Sequence, residues 1–308
     1  MKYVTLGDPH LGRKFRTGVP LHRIGDREKL VWKEFENSLM TPGDADHHIC
    51  MGDLFDKFVV APEVVLRAAA TYRRAAEENW KVKYWVIRGN HDSQRDSSKA
   101  SSFDIFTQLV KDMENVIVVN TEMVYEAENV AFIPYDPFTP VVEQIKELPD
   151  DLETVFMHHD YVDFGGDHVI PTELLAEKGI THVVNGHDHV QRTETRHGVT
   201  VEITGSMQPY THAEDPRGLW YQTHPLDELD LLDEAFLAGL NLRVLLKEGE
   251  ALPTEVDCLS MIGKRVTEEG EELEVDTTDF DAFDIKTALS DAVHPDVRDT
   301  IMEKFDAS

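Results

Sequence analysis

Five short motifs rich in aspartate, histidine and asparagine each follow an apolar, strand-like run of the chain. In order they are Asp8-Pro9-His10, Gly52-Asp53-Leu54-Phe55-Asp56, Gly89-Asn90-His91-Asp92, Met157-His158-His159 and Gly186-His187-Asp188-His189. Carboxylate, amide and imidazole groups without a thiolate suit Mn, Fe, Zn or Mg rather than a structural zinc site built from cysteines. Together the motifs indicate a two-metal hydrolase that acts on phosphate esters.

The spacing within two of the motifs would allow two side chains of one motif to bind the same ion. In an extended backbone, residues two positions apart point to the same side, so Asp8 and His10 could reach one ion. His187 and His189 repeat that spacing. A single motif of this kind is compatible with an ordinary surface turn. Five of them in this order, each after a predicted strand, predict a metal centre.

The middle motifs supply a bridging group and an amide. Asp53 has two carboxylate oxygens and could bridge two ions, as a two-metal site requires. Asn90 offers a neutral oxygen, and Gly89 before it permits the tight turn that would aim the amide inward. His158 ends another apolar run. These side chains complete a set of oxygen and nitrogen ligands.

The apolar runs before the motifs have the length and composition of strands. They are Tyr3–Leu6, His48–Met51, Val82–Ile87, Val116–Val119, Val130–Ile133, Val155–Met157 and His182–Val184. Helical periodicity between them predicts helices at Asp26–Met40, Pro62–Trp80, Phe103–Val110 and Pro171–Lys178. Val190–Thr195 and Val199–Thr204 predict a hairpin. The alternation predicts an α/β layered domain with a mixed sheet, in which ligands bind where strands end.

Composition limits the class of protein. The chain has 308 residues, 41% of them hydrophobic, and a net charge of −29. This charge argues against a uniformly basic nucleic-acid surface, although a local basic track is compatible with it. Two cysteines predict no disulfide framework, and no apolar stretch approaches the length of a membrane span. With no signal peptide at the first strand, the expected location is the cytoplasm.

The character of the chain changes after about Tyr221. Residues 221–308 contain 23 acidic and 7 basic residues, and they include a predicted strand at Leu242–Leu246. An acidic stretch, Glu268–Asp281, and an amphipathic candidate helix, Phe283–Phe305, follow. We therefore predict a main domain over 1–223 and a small acidic α+β domain over 224–308.

The motifs resemble those of the calcineurin-like metallophosphoesterases. Within that superfamily, Gly-Asp-Pro-His-Leu-Gly (7–12), Gly-Asp-Leu-Phe-Asp (52–56) and Arg-Gly-Asn-His-Asp (88–92) resemble SbcD, the nuclease subunit of bacterial and phage DNA break processing. Ile133-Pro134-Tyr135 and Gly205-Ser206 agree with that resemblance, which covers residues 1–223. It implies a layered metallophosphoesterase fold, with mixed central β-sheets flanked by helices.

The resemblance also implies the roles of individual residues. One ion would be held by Asp8, His10, Asp53 and His189, and the other by Asp53, Asn90, His158 and His187. The ions would be Mn, with Mg, Fe or Zn as alternatives. Of the adjacent histidines in the fourth motif, His158 is the expected ligand and His159 is the alternative. His91 would act as general acid or stabilise the transition state, with Asp92 orienting it, while metal-bound hydroxide attacks phosphorus in line.

Basic residues beside the first motif favour a DNA substrate. Between residues 13 and 29 six basic residues stand against two acidic ones; the six are Arg13, Lys14, Arg16, Arg23, Arg27 and Lys29. We interpret the segment as a loop that contacts phosphates, with Arg13, Lys14 and Arg16 as the substrate-binding residues nearest the motif. A solvated loop is the alternative interpretation.

The resemblance implies a DNA repair and recombination nuclease with 3′–5′ exonuclease and possible endonuclease activity. A homodimer through Pro62–Trp80 and Phe103–Val110 is expected. An SbcC-like coiled-coil ATPase would bind through the C-terminal region, in the cytoplasm of a bacterium or, for a phage protein, of its host. The alternative function is that of a metallophosphatase or small-molecule phosphodiesterase, which the acidic net charge favours.

Overall fold

In the computed structural model, residues 1–96, 99–162 and 166–266 are described. Four parallel strands form the first sheet in chain order: β1 (Tyr3–Leu6), β2 (His47–Cys50), β3 (Lys83–Ile87) and β4 (Val116–Val119). The connections between them contain α1 (Asp26–Met40), α2 (Pro62–Glu78) and α3 (Ser102–Val110). Parallel strands need such long crossover connections because each new strand starts at the same edge.

The second sheet is mixed. Its six strands are β5 (Met123–Tyr125), β6 (Val130–Ile133), β7 (Thr154–Met157), β8 (His182–Asn185), β9 (Arg192–Arg196) and β10 (Val199–Ile203). Their order is β5-β6-β7-β8-β10-β9, and the edge strands β5 and β9 are the antiparallel ones. Helices α4 (Val141–Lys146) and α5 (Thr172–Glu177) accompany this sheet.

The two sheets pack face to face. Their shared core contains Ile49 and Trp85 from the first sheet and Phe132 and Phe156 from the second. The Trp85 and Phe132 rings stack with centroids 4.2 Å apart, and Phe156 stacks on Phe132 at 5.1 Å. Separate apolar clusters join the first sheet to α1–α3 and the second to α4 and α5. Inner strands such as β3, β6 and β7 are therefore buried on both faces, which explains why they are almost continuously apolar, whereas the edge strand β9 is polar and mostly exposed.

A third sheet follows. It contains three parallel strands, β11 (Tyr221–Pro225), β12 (Asn241–Leu246) and β13 (Ser260–Arg265), with a short helix α6 (Glu234–Leu237). It has its own apolar cluster, including Leu240, Leu242 and Val244. A backbone hydrogen bond from Met261 N–H to Gly18 O (2.8 Å) joins β13 to the loop after the first motif.

The predicted α/β class with mixed sheets and flanking helices is confirmed. Helix α1 has the predicted bounds, and the hairpin of β9 and β10 forms around His197-Gly198. The sequence patterns did not predict β5, α4, α6, β11 or β13. Strand β11 crosses the boundary predicted at residue 223, and the division into domains stays a prediction. The acidic stretch Glu268–Asp281 and the candidate helix Phe283–Phe305 lie outside the described residues.

Membrane insertion has no support in the part of the chain that the structure describes. None of its helices combines the length and the apolar composition that crossing a bilayer requires. The longest, α2, has 17 residues and carries several charged side chains. A bilayer core needs about 20 predominantly apolar residues in a helix.

Candidate metal centre

The motif residues meet where the strands of the first two sheets end. Asp8 and His10 follow β1, Asp53 follows β2, and Asn90 and His91 follow β3 in the first sheet. His158 follows β7 and His187 and His189 follow β8 in the second sheet. Carboxyl ends of parallel strands lie at one edge of a sheet, and here two such edges are adjacent. An isolated bridge between Asp8 and Ser206 links them.

Asp8, His10 and His189 form one group of possible metal ligands, whose donor atoms lie within 4.8 Å of one another. His10 Nε2 is 3.1 Å from His189 Nε2, and His189 Nε2 is 3.7 Å from Asp8 Oδ2. Asp8 and His10 are fully buried. His10 Nε2 also lies 3.8 Å from Asp53 Oδ2, which connects this group to the next.

Asp53, His158 and His187 form a second group under the same distance limit. His158 Nε2 lies 3.4 Å from Asp53 Oδ1 and 3.0 Å from Asn90 Oδ1. His187 Nδ1 lies 2.9 Å from the same Asn90 oxygen. The seven residues expected as ligands are thus brought together as two groups that meet at Asp53.

The fourth motif presents His158, not His159, to this cluster. His158 Nδ1 lies 2.9 Å from the Met51 carbonyl oxygen, which can only accept a hydrogen bond. The Nδ1 atom therefore carries the proton, and the Nε2 lone pair faces Asp53 and Asn90. His159 is also buried, but its ring packs near Tyr135 and His168.

Electrostatics at the cluster favour a cation. Burial, and then the negative charge of Asp53, raise the pKa of Asp8 well above its usual value. Burial acts on Asp53 in the same direction, but the imidazoles of His158 and His10 lower the pKa of Asp53 below its usual range. Burial lowers the pKa of His10 to about 3, so its imidazole is neutral at pH 7. Neighbouring buried carboxylates repel each other, and a divalent ion would remove that repulsion.

The donor set fits divalent metal ions. Carboxylate oxygens, an amide oxygen and imidazole nitrogens converge there, which is the ligand chemistry of Mn, Fe, Zn or Mg sites. Among the residues that the structure describes, the buried Asp8 Oδ2 atom has no hydrogen-bond partner, and the His158 lone pair faces two oxygen acceptors. Such close acceptors are stabilised by a proton or a metal ion between them. Two ions would be held by the two groups, with Asp53 able to serve both.

His91 lies at the edge of the cluster and is exposed. Its backbone N–H donates to Asp53 Oδ1 (2.8 Å), and its ring Nδ1 lies 2.6 Å from the Asp56 carbonyl oxygen. Because a carbonyl only accepts, Nδ1 carries a proton and Nε2 remains free to exchange one with a ligand. His10, Asp53 and His91 also form a third group with possible ligand spacing.

Asp92 acts on the backbone rather than on the His91 ring, which corrects the expected orienting role. Its buried carboxylate accepts hydrogen bonds from the N–H groups of Leu54 (3.1 Å), Phe55 (3.0 Å) and Gly89 (3.1 Å). Burial and the Asp53 charge raise the pKa of Asp92 to about 8, and the amide donors oppose that rise. The carboxylate ties the loop of the second motif to that of the third, because loop amides without a strand partner need an acceptor.

Backbone strain occurs at three of the expected ligands. His10, Asp53 and His187 adopt positive φ angles of 44°, 46° and 71°, a region that side chains other than glycine rarely occupy. The surrounding hydrogen bonds hold these conformations, for example His10 N–H to Asp53 O at 3.0 Å. Strain of this kind collects at functional sites.

Replacing Gly52 by alanine tests this packing. Gly52 has φ of +123°, and an added Cβ would overlap His158 Nδ1. We expect Gly52→Ala to displace the imidazole, to weaken Mn²⁺ binding at least about 10-fold and to lower the melting temperature, because both the strained backbone and the overlap cost free energy. Calorimetric Mn²⁺ titration and thermal unfolding measure the two effects.

Gly43→Ala is the matched control for that substitution. Gly43 also has a positive φ, +67°, but an added Cβ would have no heavy atom of the described part of the chain within 4 Å. This variant carries only the backbone cost, on the order of 1–2 kcal/mol, and should bind Mn²⁺ like the wild type. Equal Mn²⁺ affinity of the two variants would contradict the proposed contact with His158.

The basic residues after the first motif lie in two different environments. Arg27 is 2% exposed; its guanidinium donates to Gln208 Oε1 and Pro209 O, both at 2.7 Å, and lies over the Trp220 ring. Arg23 donates to Ala238 O (2.5 Å). These two side chains therefore connect α1 and the residues just before it to residues 208–238. The prediction that they contact phosphate is wrong, because their guanidinium groups are already engaged within the protein.

Arg13 and Lys14 remain near the cluster, whereas Arg16 lines a neighbouring cavity. A cavity of about 1070 Å³ is lined by Arg13 and Lys14 together with Asn90 and His91. A second cavity of about 370 Å³ is lined by Arg13, Lys14 and Arg16. Arg13 lies 3.6 Å from Asp56 Oδ1 and its guanidinium lies over the Tyr210 ring.

Two acidic residues at the centre were missed by the sequence analysis. Asp160 Oδ1 lies 2.7 Å from His187 Nε2, and Glu214 Oε2 lies 3.3 Å from His189 Nδ1. Asp160 directly follows the fourth motif, so an acidic residue two positions after His158 was a signal visible in the sequence. Glu214 lies in a 3₁₀ turn, His212–Glu214, that no sequence pattern connects to the motifs.

Comparisons with known proteins identify the class. A family model described as calcineurin-like phosphoesterase matches residues 1–191. No curated protein matches the chain. Among solved structures, phosphopantetheinyl hydrolase (PptH) from Mycobacterium tuberculosis is 14% identical, with a TM-score of 0.41, and the match covers 68% of this chain and 93% of that chain.

Two further solved structures are similar at the same level. TT1561 of Thermus thermophilus is 14% identical, with a TM-score of 0.40, covering 67% of this chain and 89% of that one. GAP50 from Plasmodium is 16% identical, with a TM-score of 0.39, covering 68% and 72%. At such identities the likeness concerns the fold alone.

Proposed function

We propose that this chain, which belongs to the calcineurin-like phosphoesterase family and hydrolyses phosphoesters with divalent metal ions, acts on DNA. The protein would be the nuclease subunit of a DNA break-processing complex, with 3′–5′ exonuclease activity and endonuclease activity. Mn²⁺ is the proposed ion. A cytoplasmic location, in a bacterium or a phage-infected host, belongs to the same proposal.

The observation that carries the proposal is the basic cavity beside the cluster. Besides Asn90 and His91, its lining has more basic than acidic side chains; the basic ones are Arg13, Lys14, Lys57 and Arg67, and the acidic ones are Asp56 and Glu63. Its volume of about 1070 Å³ is at the upper limit for pockets that enclose small ligands, which suits an extended substrate. A local basic surface on a chain of net charge −29 is well suited to a phosphate backbone, since phosphate contacts supply most of the nonspecific affinity for DNA.

His91 is proposed to hold the proton for the leaving oxygen. Its Nδ1–H group donates to Asp56 O, which fixes the ring and leaves Nε2 for the substrate. Asp8, His10, Asp53, Asn90, His158, His187 and His189 would hold two divalent ions. Bound there, the ions supply charge neutralisation at phosphorus and a lowered pKa for water. Arg13 and Lys14 would bind the flanking phosphates and hold the strand in line.

The first test is degradation of end-labelled single- and double-stranded DNA in Mn²⁺, in Mg²⁺ and in chelator. An aryl phosphomonoester and an aryl phosphodiester are assayed in parallel. Metal-dependent degradation of DNA is the expected result. Hydrolysis of the aryl esters with intact DNA would overturn the proposal of a DNA substrate and favour the phosphatase or small-molecule phosphodiesterase.

A salt titration tests the basic residues separately. In chelator, the combined variant Arg13→Gln, Lys14→Gln and Arg16→Gln should bind DNA more weakly, and the slope of log K against log salt should fall by up to about 3. A matched control replaces three exposed lysines away from the cavity by glutamine; they are Lys33, Lys81 and Lys111. Equal slopes for the two variants would contradict a contact between these residues and DNA.

We also propose a homodimer through α2 and α3. Leu66 on α2 and Ile105 on α3 are 58% and 50% exposed, and both line an apolar cavity of about 280 Å³ between the helices. Val59 beside them is 64% exposed. Contiguous exposed apolar surface of this kind marks an interaction site. The coiled-coil ATPase is proposed to bind the C-terminal region, which extends beyond the described residues.

Charge introduced into this apolar face should separate the subunits. We expect Leu66→Glu with Ile105→Glu to convert a dimer into a monomer, because carboxylates would be buried without partners. Light scattering after size-exclusion chromatography measures the mass. Leu231→Glu, at a site 82% exposed on another surface, is the control and should leave the mass unchanged. A wild-type protein that is monomeric at all concentrations would refute the dimer.

A further inference from the structure

Two carboxylates outside the ligand set contact two of its histidines. Asp160 Oδ1 lies 2.7 Å from His187 Nε2, and Glu214 Oε2 lies 3.3 Å from His189 Nδ1. In each case the opposite ring nitrogen faces the cluster. His187 Nδ1 is 2.9 Å from Asn90 Oδ1, and His189 Nε2 is 3.7 Å from Asp8 Oδ2.

Both carboxylates are themselves fixed. The Asp160 backbone is bound on both sides, since its N–H donates to His168 O (3.1 Å) and its carbonyl accepts from Ile170 N–H (2.9 Å). Glu214 Oε2 accepts from Tyr210 N–H (2.7 Å), and its Oε1 accepts from the Thr211 hydroxyl (3.2 Å). Each acid is therefore presented to its imidazole in a defined position.

We propose that Asp160 and Glu214 are positioning residues that set the tautomers of His187 and His189. An ionised carboxylate only accepts hydrogen bonds, so His187 is held with its proton on Nε2 and His189 with its proton on Nδ1. The lone pair of each ring then faces the cluster. The proposal rests on the metal centre of the proposed function, and it does not depend on the substrate being DNA.

The two carboxylates do more than the carbonyl that orients His158. Met51 O also fixes a tautomer, at 2.9 Å from His158 Nδ1, but it carries no net charge. A carboxylate partner makes the imidazole a stronger electron donor to a metal, in addition to orienting it. Asp160 and Glu214 would therefore strengthen one ligand in each of the two groups.

Titration of the metal-free protein with Mn²⁺, followed by calorimetry, tests this assignment. Asp160→Ala and Glu214→Ala are each expected to weaken Mn²⁺ binding about 10- to 100-fold. Asp160→Asn retains a neutral acceptor and should lose less than Asp160→Ala. Circular dichroism in chelator checks that each variant has the wild-type fold.

Asp188→Asn is the matched control. Asp188 stands between His187 and His189, but its carboxylate pairs with Arg192 at 2.6 Å. The substitution removes one negative charge next to the same ligands without removing an acceptor from either ring. Mn²⁺ affinity within about twofold of wild type would support positioning; a loss equal to that of Asp160→Ala would show a general charge effect and overturn the proposal.

Histidine ¹⁵N chemical shifts provide a readout independent of affinity. In chelator at pH 8, wild-type His187 should be the Nε2–H tautomer and His189 the Nδ1–H tautomer. Asp160→Ala should give a mixture of tautomers for His187, and Glu214→Ala should give a mixture for His189. Unchanged tautomers with unchanged affinity would overturn the proposal. A wild-type protein that binds no Mn²⁺ would refute the metal centre itself, whereas one that binds Mn²⁺ but leaves DNA intact would refute only the DNA substrate.

Discussion

Replacing Asp53 by asparagine is expected to lower metal-dependent hydrolysis at least about 10³-fold. Its Oδ2 atom lies 3.8 Å from His10 Nε2 and its Oδ1 atom lies 3.4 Å from His158 Nε2, so one carboxylate serves both groups. Ions contribute several kcal/mol of transition-state stabilisation, and loss of about 4 kcal/mol corresponds to this factor.

Mn²⁺ binding distinguishes this explanation from a general loss of structure. Mn²⁺ should raise the melting temperature of the wild type, because it binds the folded state, and should have little effect on Asp53→Asn. Asp56→Asn is the control, since its carboxylate lies near Arg13 and outside the two groups. If the Asp53→Asn variant bound Mn²⁺ with wild-type stoichiometry and affinity, that result would contradict the role of this carboxylate in both groups of ligands.

The second large effect is expected at His91. His91→Ala should lower the rate of DNA hydrolysis about 10²- to 10⁴-fold, the usual contribution of a general acid, with little change in Mn²⁺ affinity. The reason is geometric: Nδ1 is engaged by Asp56 O, and the exposed ring offers Nε2 to the substrate. Rates with DNA and calorimetric Mn²⁺ titration measure the two quantities.

A change of leaving group sharpens that prediction. The leaving group of an aryl phosphodiester departs without a proton. His91→Ala should therefore slow the hydrolysis of such an ester much less than it slows the hydrolysis of DNA. Equal losses on both substrates would indicate transition-state stabilisation instead of proton transfer. Weaker Mn²⁺ binding would assign His91 as a ligand, in line with its place in the third group with His10 and Asp53.

Much of the site could be predicted because strand ends determine where side chains meet. The predicted and observed bounds of α1 are identical, and β1, β4 and β6 also agree, since apolar runs between polar motifs define those elements. The seven expected ligands, from Asp8 to His189, gather at two adjacent sheet edges. Parallel strand order explains the proximity within each sheet, and the packing of the two sheets brings the two edges together.

What the sequence could not reveal depends on tertiary contacts. Glu214 reaches His189 through a turn 25 residues further along the chain, and local periodicity carries no information about such contacts. Arg27 is a charged residue in a basic segment, yet it is buried because Gln208, Pro209 and Trp220 surround its guanidinium. Asp92 binds three amides whose need for an acceptor is visible only once the loops are in place.

The division of the ligands between two sheets has a consequence for folding. Asp8, His10, Asp53 and Asn90 come from the first sheet, and His158, His187 and His189 from the second. Neither half contains all members of the first or the second group, so a chain emerging from the ribosome cannot form the centre until the second sheet has packed on the first. Metal binding is thereby linked to the packing of the second sheet on the first, and bound ions would stabilise the interface between the two sheets.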